Sequence, residues 1–216
     1  MKSKPIVLLF VVMALAAPLL AQGPPITGTA DVVLSTGSTE IRPGEQFAVN
    51  VNVDLTGVTG TCDTATVDAV LNSYVIPIEF DSTRVQFLSA VSCGDPFFSA
   101  DPSATNAATA NANEEVIISS TISDPNNPTG DICVATLTFA ALTTGETDLT
   151  VDLVNGFSLS SAFQDCAEAD PTAIAATSSP LTLNITNPVP LLPLPSLALL
   201  AALLAMVGFF AVNRRG

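Results

Sequence analysis

Phe47-Ala48-Val49-Asn50-Val51-Asn52-Val53-Asp54-Leu55 is the stretch that decides the fold. Phe47, Val49, Val51, Val53 and Leu55 alternate with small or polar neighbours, the period of a strand that buries one face and wets the other. Pro43-Gly44 supplies the turn that launches it. The same period returns downstream. Tyr74, Ile76, Ile78 and Phe80 form a set ended by Asp81-Ser82-Thr83-Arg84, after which Val85, Phe87 and Val91 begin another strand. Cys133, Ala135, Leu137 and Phe139 alternate with Val134, Thr136 and Thr138. Leu149, Val151 and Leu153 alternate with Asp148, Thr150 and Asp152. Ala30 to Ser35 reads as a first strand, Val116 to Ile122 as a short β-branched one, and Leu181, Leu183 and Ile185 as the last. Pro77 sits awkwardly in this pattern, because a proline cannot donate to the ladder and belongs at an edge or a bulge.

Residues 94 to 115 are rich in Asp, Ser, Ala, Asn and Pro and read as a long surface loop, with Phe97 and Phe98 either a small exposed patch or, the favoured reading, tucked under it. Asp124-Pro125-Asn126-Asn127-Pro128-Thr129-Gly130-Asp131 is a turn by its residue types. No stretch between 27 and 187 shows a helical period. Eight or nine short strands with turn signals between them predict an all-β fold, a sandwich or jelly roll over residues 27–187.

Outward from the domain, both ends of the 216-residue chain are apolar. Lys2 and Lys4 precede an uncharged run from Ile6 to Ala17 and then Pro18-Leu19-Leu20-Ala21, the layout of a signal peptide over residues 1–21. The run is too short for a span, which needs about 20 residues. At the other end, Leu194 to Val212 is uncharged for 19 residues and is followed by Arg214 and Arg215. That length spans a bilayer, and flanking arginines stay cytoplasmic. Residues 194–216 therefore read as a transmembrane helix with a cytoplasmic tail, and residues 188–195 as a stiff proline-rich spacer. Spacer, apolar helix and terminal arginines together resemble the C-terminal sorting tags of Gram-negative bacteria, the PEP-CTERM and IPTL-CTERM type, though without those signatures themselves. The resemblance implies removal of the tag by a membrane protease and passage to the cell surface. The expected location is either inner-membrane anchored with the domain outside the cytoplasm, or released to the surface.

All 20 acidic residues lie between Asp31 and Asp170, where only Arg42 and Arg84 are basic. Nucleic acid and anionic membrane surfaces are excluded as partners of such a domain, since phosphate recognition relies on Lys and Arg. Two readings of the acidity stand: solubility in a salty medium, which is favoured because acidic surfaces commonly serve it, and divalent-cation binding. The chain has no histidine, so a nucleophile lacks its usual base, and no pair of carboxylates is singled out for glycoside cleavage; an enzyme is not expected. Asp124, Asn126 and Asp131 offer the oxygen ligands calcium takes, but are equally what a turn uses. No other cofactor is indicated. Cys62, Cys93, Cys133 and Cys166 suggest two disulfides in an oxidising compartment, with three pairings open.

With the strands in place, the order of motifs resembles the cohesin domain, the receptor module of cellulosomal scaffolds. The matching stretches are Pro43-Gly44-Glu45-Gln46-Phe47-Ala48-Val49, Tyr74-Val75-Ile76-Pro77-Ile78-Glu79-Phe80-Asp81, Val85-Gln86-Phe87-Leu88-Ser89-Ala90-Val91, and Ala135-Thr136-Leu137-Thr138-Phe139 followed by Gly145. Cohesins are nine-stranded jelly rolls related to carbohydrate-binding modules, and they bind dockerins through one sheet face, so the resemblance implies a nine-stranded jelly-roll β-sandwich. Carried over by position, that face would hold Val75, Pro77, Glu79, Val134, Thr136, Thr138, Asp148, Thr150 and Asp152. In the same order Cys93 and Cys133 would point inward from opposite sheets and pair, leaving Cys62 with Cys166. The resemblance implies a surface-displayed module that holds a protein partner, of which dockerin-bearing proteins are the family's example. The other reading is a carbohydrate-binding or matrix protein. Sugar platforms favour Trp and Tyr, and the chain has no Trp and a single Tyr.

Overall fold

The computed structural model describes residues 25–62, 65–94, 98, 100–121, 129–161 and 172–187. The signal peptide read over 1–21, the spacer and apolar helix over 188–216, and Phe97, Asp124, Asn126 and Cys166 lie outside the described residues, as does the side chain of Cys62. Contacts divide the chain after Thr186, and the architecture below is that of the first unit. Among the described residues no helix is long and apolar enough to cross a membrane.

In chain order the strands are β1 (Ile26–Thr27), β2 (Ala30–Thr36), β3 (Glu40–Ile41), β4 (Gln46–Asp54), β5 (Thr59–Cys62), β6 (Ala65–Asp68), β7 (Leu71–Glu79) and β8 (Val85–Val91). Next come β9 (Ser103–Ala104), helix α1 (Ala107–Asn113), β10 (Glu115–Thr121), β11 (Asp131–Ala141) and β12 (Gly145–Val151). The last are β13 (Ser158–Ser161), β14 (Thr172–Ala173), β15 (Ala176–Ser178) and β16 (Leu181–Ile185). A five-stranded sheet has the order β15-β2-β4-β11-β8. A larger sheet runs β14-β13-β7-β12-β16-β3, with β10 on the other side of β7 and β9 beyond it. β1, β5 and β6 make a small third sheet.

The all-β sandwich expected from the alternation is present, but in sixteen strand segments among the described residues rather than nine. The extra segments are short, two to four residues each. The inward residues of both sheets, among them Val49, Val51, Val53, Leu137 and Phe139 facing Tyr74, Ile76, Ile78, Val116 and Ile118, form one buried core. Each such side chain contributes roughly 1.5–3 kcal/mol by leaving water. Phe139 anchors it, with Phe47, Phe80 and Phe87 packed at ring distances of 5.4 to 5.8 Å.

Four expectations are corrected. On β11, Cys133 pairs with Asn52 and Ala135 with Val51, so Val134 is the extra residue of a bulge. The bulge reverses the alternation, burying Val134 and turning Cys133 outward to half-buried. Second, Cys93 and Cys133 are indeed joined, with Cα atoms 6.0 Å apart, yet not across the core: β8 and β11 are neighbours in one sheet. Third, the loop read over 94–115 contains α1. Asn106 caps it by accepting from the Thr109 N–H at 3.0 Å, and only Ala110 is buried, so a helix of two turns leaves no readable period. Fourth, Pro77 is in a central strand, not at an edge. β12 pairs with β7 at Ile78 and Glu79 and β13 takes over from Val75, so the ladder has a seam at Pro77. Its carbonyl accepts from the Asp152 N–H across that seam at 3.1 Å, and the N–H it lacks would have pointed into the same gap.

Candidate functional site

Register fixes which side chains share the outer face of the larger sheet, because directly paired residues point to the same side. Across β10, β7 and β12 the first row is Glu115, Glu79 and Thr150. The second is Ile117 and Pro77; the third, with β13, is Ser119, Val75 and Ser158; the fourth is Thr121, Ser73 and Ser160. The face thus passes from acid at one end, through an apolar centre, to hydroxyls at the other. Ser73 and Ser160 are hydrogen-bonded to each other at 2.6 Å.

The turn Asp152–Asn155 runs past the centre, and Gly156 behind it stands beside the Pro77 ring. Asp152 builds this turn. Its carboxylate accepts from the Val154 N–H (2.8 Å), the Asn155 N–H (3.1 Å) and the Asn155 side-chain amide (2.8 Å). These bonds, the Asn155 side chain first, hold its pKa below the usual aspartate value. Val154 is thereby thrust outward, 86% exposed, while Ile117 is 37% exposed on β10. Among the described residues the other large exposed apolar side chains are dispersed: Val33 on β2, Val91 at the end of β8, and Leu142 after β11.

The acid end is dense. Oxygens of Glu79, Glu115 and Asp152 lie within 4.8 Å of one another, and Glu79, Asp81, Glu114, Glu115 and Asp148 line a hollow of about 480 Å³. Three carboxylates could ligate calcium. Asp152, however, is already engaged by its own turn, and Asp148 accepts from Thr182 Oγ1 at 2.6 Å. What this end supplies is a field of one sign. Of the calcium candidates read from sequence, only Asp131 is described; it accepts from Asn52 Nδ2 at 2.9 Å.

The nine residues carried over by resemblance do not share one face. Val75, Pro77, Glu79, Asp148, Thr150 and Asp152 belong to the larger sheet and the turn that leaves it. Thr136 and Thr138 lie on the outer face of the five-stranded sheet, on the other side of the sandwich, where Thr136 donates to Asn50 Oδ1 at 3.0 Å. Val134 is in the core, and Pro77 is buried. β10, which completes the face, reads as a strand in the sequence but not as part of the face, because Val116-Ile117-Ile118 is apolar without a break and a period cannot say which residue points outward.

The same fold recurs among solved structures. The seventh ScaB type I cohesin from Pseudobacteroides cellulosolvens superposes with a TM-score of 0.55 at 16% identity, covering 76% of this chain and 96% of that one. The fold is cohesin-like. The third ScaC cohesin from Acetivibrio cellulolyticus, solved in complex with the ScaB dockerin, gives 0.52 at 13% identity over 73% of this chain and 99% of that one. A cohesin module from a Clostridium perfringens family 33 glycoside hydrolase gives 0.51 at 11% identity over 74% and 98%. No protein-family model and no curated protein sequence matches the chain. At these identities the likeness is one of architecture, and the residues of the cohesin-like face are this chain's own.

Proposed function

We propose that this protein is a non-enzymatic binding module, exported and displayed at the cell surface, that captures a protein partner through the outer face of β10, β7 and β13. The observation that carries the reading is the exposure of Ile117, paired with Pro77 from β10, and of Val154, in the turn whose ends approach Pro77 from the other side, between an acid end and a hydroxyl end of the face. A flat surface with an apolar centre and a polar surround suits a protein partner. The acid end adds a preference for a partner that sets Lys or Arg opposite Glu79 and Glu115. Cohesin-like architecture favours a dockerin-bearing protein as that partner. Sugar stacking finds less support: among the described residues no aromatic ring is exposed. Display would be achieved by the signal peptide and by the C-terminal helix, either as an anchor or as a sorting tag removed behind its proline spacer.

The test is capture from the organism's own secreted proteins by the immobilised full chain, set beside sedimentation with insoluble polysaccharide. The expected result is a discrete captured protein whose binding is lost in Ile117→Asp. Direct binding to polysaccharide with no protein captured would overturn the reading in favour of a carbohydrate-binding or matrix role.

A further inference from the structure

β8 is the long edge of the five-stranded sheet: it pairs with β11, and among the described residues no strand lies on its other side. Such an edge is a template for strand addition by another chain unless it is blunted. Here several of the groups along it are taken. The Val85 N–H donates to the Asp81 carbonyl at 3.0 Å. At Phe87 the Asn111 side chain imitates a strand, its Oδ1 accepting from the Phe87 N–H at 2.8 Å and its Nδ2 donating to the Phe87 carbonyl at 2.9 Å. The same Nδ2 donates to the Ala107 carbonyl at 2.7 Å, so both amide protons are used and the side chain is locked against its own helix. Just past the strand, the Ser92 N–H donates to Asp101 Oδ1 at 2.9 Å. Leu88 is the extra residue of a bulge in the same strand, which twists the edge further from a straight template.

We infer that the segment between β8 and β10 is an edge guard, in which Asn111 and Asp101 occupy the backbone groups of β8 that a second copy of this chain would otherwise pair with. Nothing in this role depends on the partner-binding face, which belongs to the other sheet. A chain displayed at high density would need such a device, since neighbouring copies present identical edges to one another. Asparagine is the apt residue at 111. Its amide offers one acceptor and two donors in a plane, matching the backbone pair it blocks, whereas aspartate would set an acceptor against the Phe87 carbonyl.

Asn111→Ala and, separately, Asp101→Ala in the full chain test the inference, with the wild-type full chain under identical conditions as reference. Sedimentation velocity over a range of concentrations and amide hydrogen exchange at Phe87 and Ser92 are the readouts. Asn111→Ala is expected to self-associate with rising concentration. When dilute, its Phe87 amide should exchange roughly tenfold faster than in wild type, the counterpart of one lost hydrogen bond. In the associated form that amide should be protected again. Asp101→Ala, remote from the helix, should show the same behaviour at Ser92 and serves if Asn111→Ala does not fold. Folded variants that exchange faster yet sediment as the wild type does at every concentration would overturn the guard role.

Discussion

Tyr74 shows at the scale of one residue how the core tolerates a defect in its own ladder. The bulge at Val134 interrupts the ladder deep in the sandwich. The Tyr74 hydroxyl crosses from the opposite sheet and donates to the Val134 carbonyl at 3.0 Å. Burial pushes the phenol's pKa well above its usual value, so it remains a donor at any ordinary pH. Tyr74→Phe keeps the ring and its edge-on contact with Phe98 but takes this donor from the carbonyl, a loss of about 1–3 kcal/mol. Urea unfolding should show a lower midpoint with an unchanged slope; an unchanged midpoint would mean that the carbonyl finds another donor. The alternation of residues 74 to 80 already assigned this tyrosine to the core. Its hydrogen-bond partner was not legible, because a bulge is an insertion in pairing and leaves no mark on composition.

At the scale of elements, the strands that alternate cleanly were readable and those that do not were not. β4 carries its apolar residues at every second position, and structure and pattern agree along its length. β11 alternates as well, yet one bulge was enough to send Val134 inward and Cys133 outward. Whether β7 and β11 belonged to one sheet could not be read, since register within a strand carries no information on which sheet it joins. That gap split the inferred face in two. It also misplaced the disulfide: Cys93–Cys133 ties β8 to β11 within one sheet and closes a loop of 40 residues that includes the edge guard. Closing a loop of that length contributes up to about 4 kcal/mol in the chain-entropy account. Replacing both cysteines by serine should therefore lower stability by about 2–4 kcal/mol in urea unfolding, with the fold retained. A double variant as stable as wild type would show that the ladder and α1 alone fix the segment.

For the whole molecule, charge and surface pattern act together. Twenty carboxylates against two arginines within the domain mean that self-repulsion opposes folding, and screening relieves it. Raising sodium chloride from low concentration to about 1 M, where the screening length falls to about 3 Å, should raise the melting temperature at neutral pH by several degrees. A falling melting temperature would indicate that specific ion pairs outweigh the bulk field. On the proposed function the same charge would shape recognition: Glu79, Glu115 and Asp152 would select for a basic partner, while Ile117 and Val154 would supply the apolar contact that holds it. The opposite face is polar at its centre, where Asn52 bonds to Asp131 and Thr136 to Asn50, and its exposed Val33 and Val91 stand apart on β2 and β8. One comparison separates the two faces most directly, namely the affinity of the captured partner for Ile117→Asp and for Ala48→Asp, the latter exposed on the five-stranded sheet. The account predicts a loss of about thirtyfold or more for Ile117→Asp and wild-type affinity for Ala48→Asp. Wild-type affinity for Ile117→Asp, with binding lost in Ala48→Asp, would contradict it.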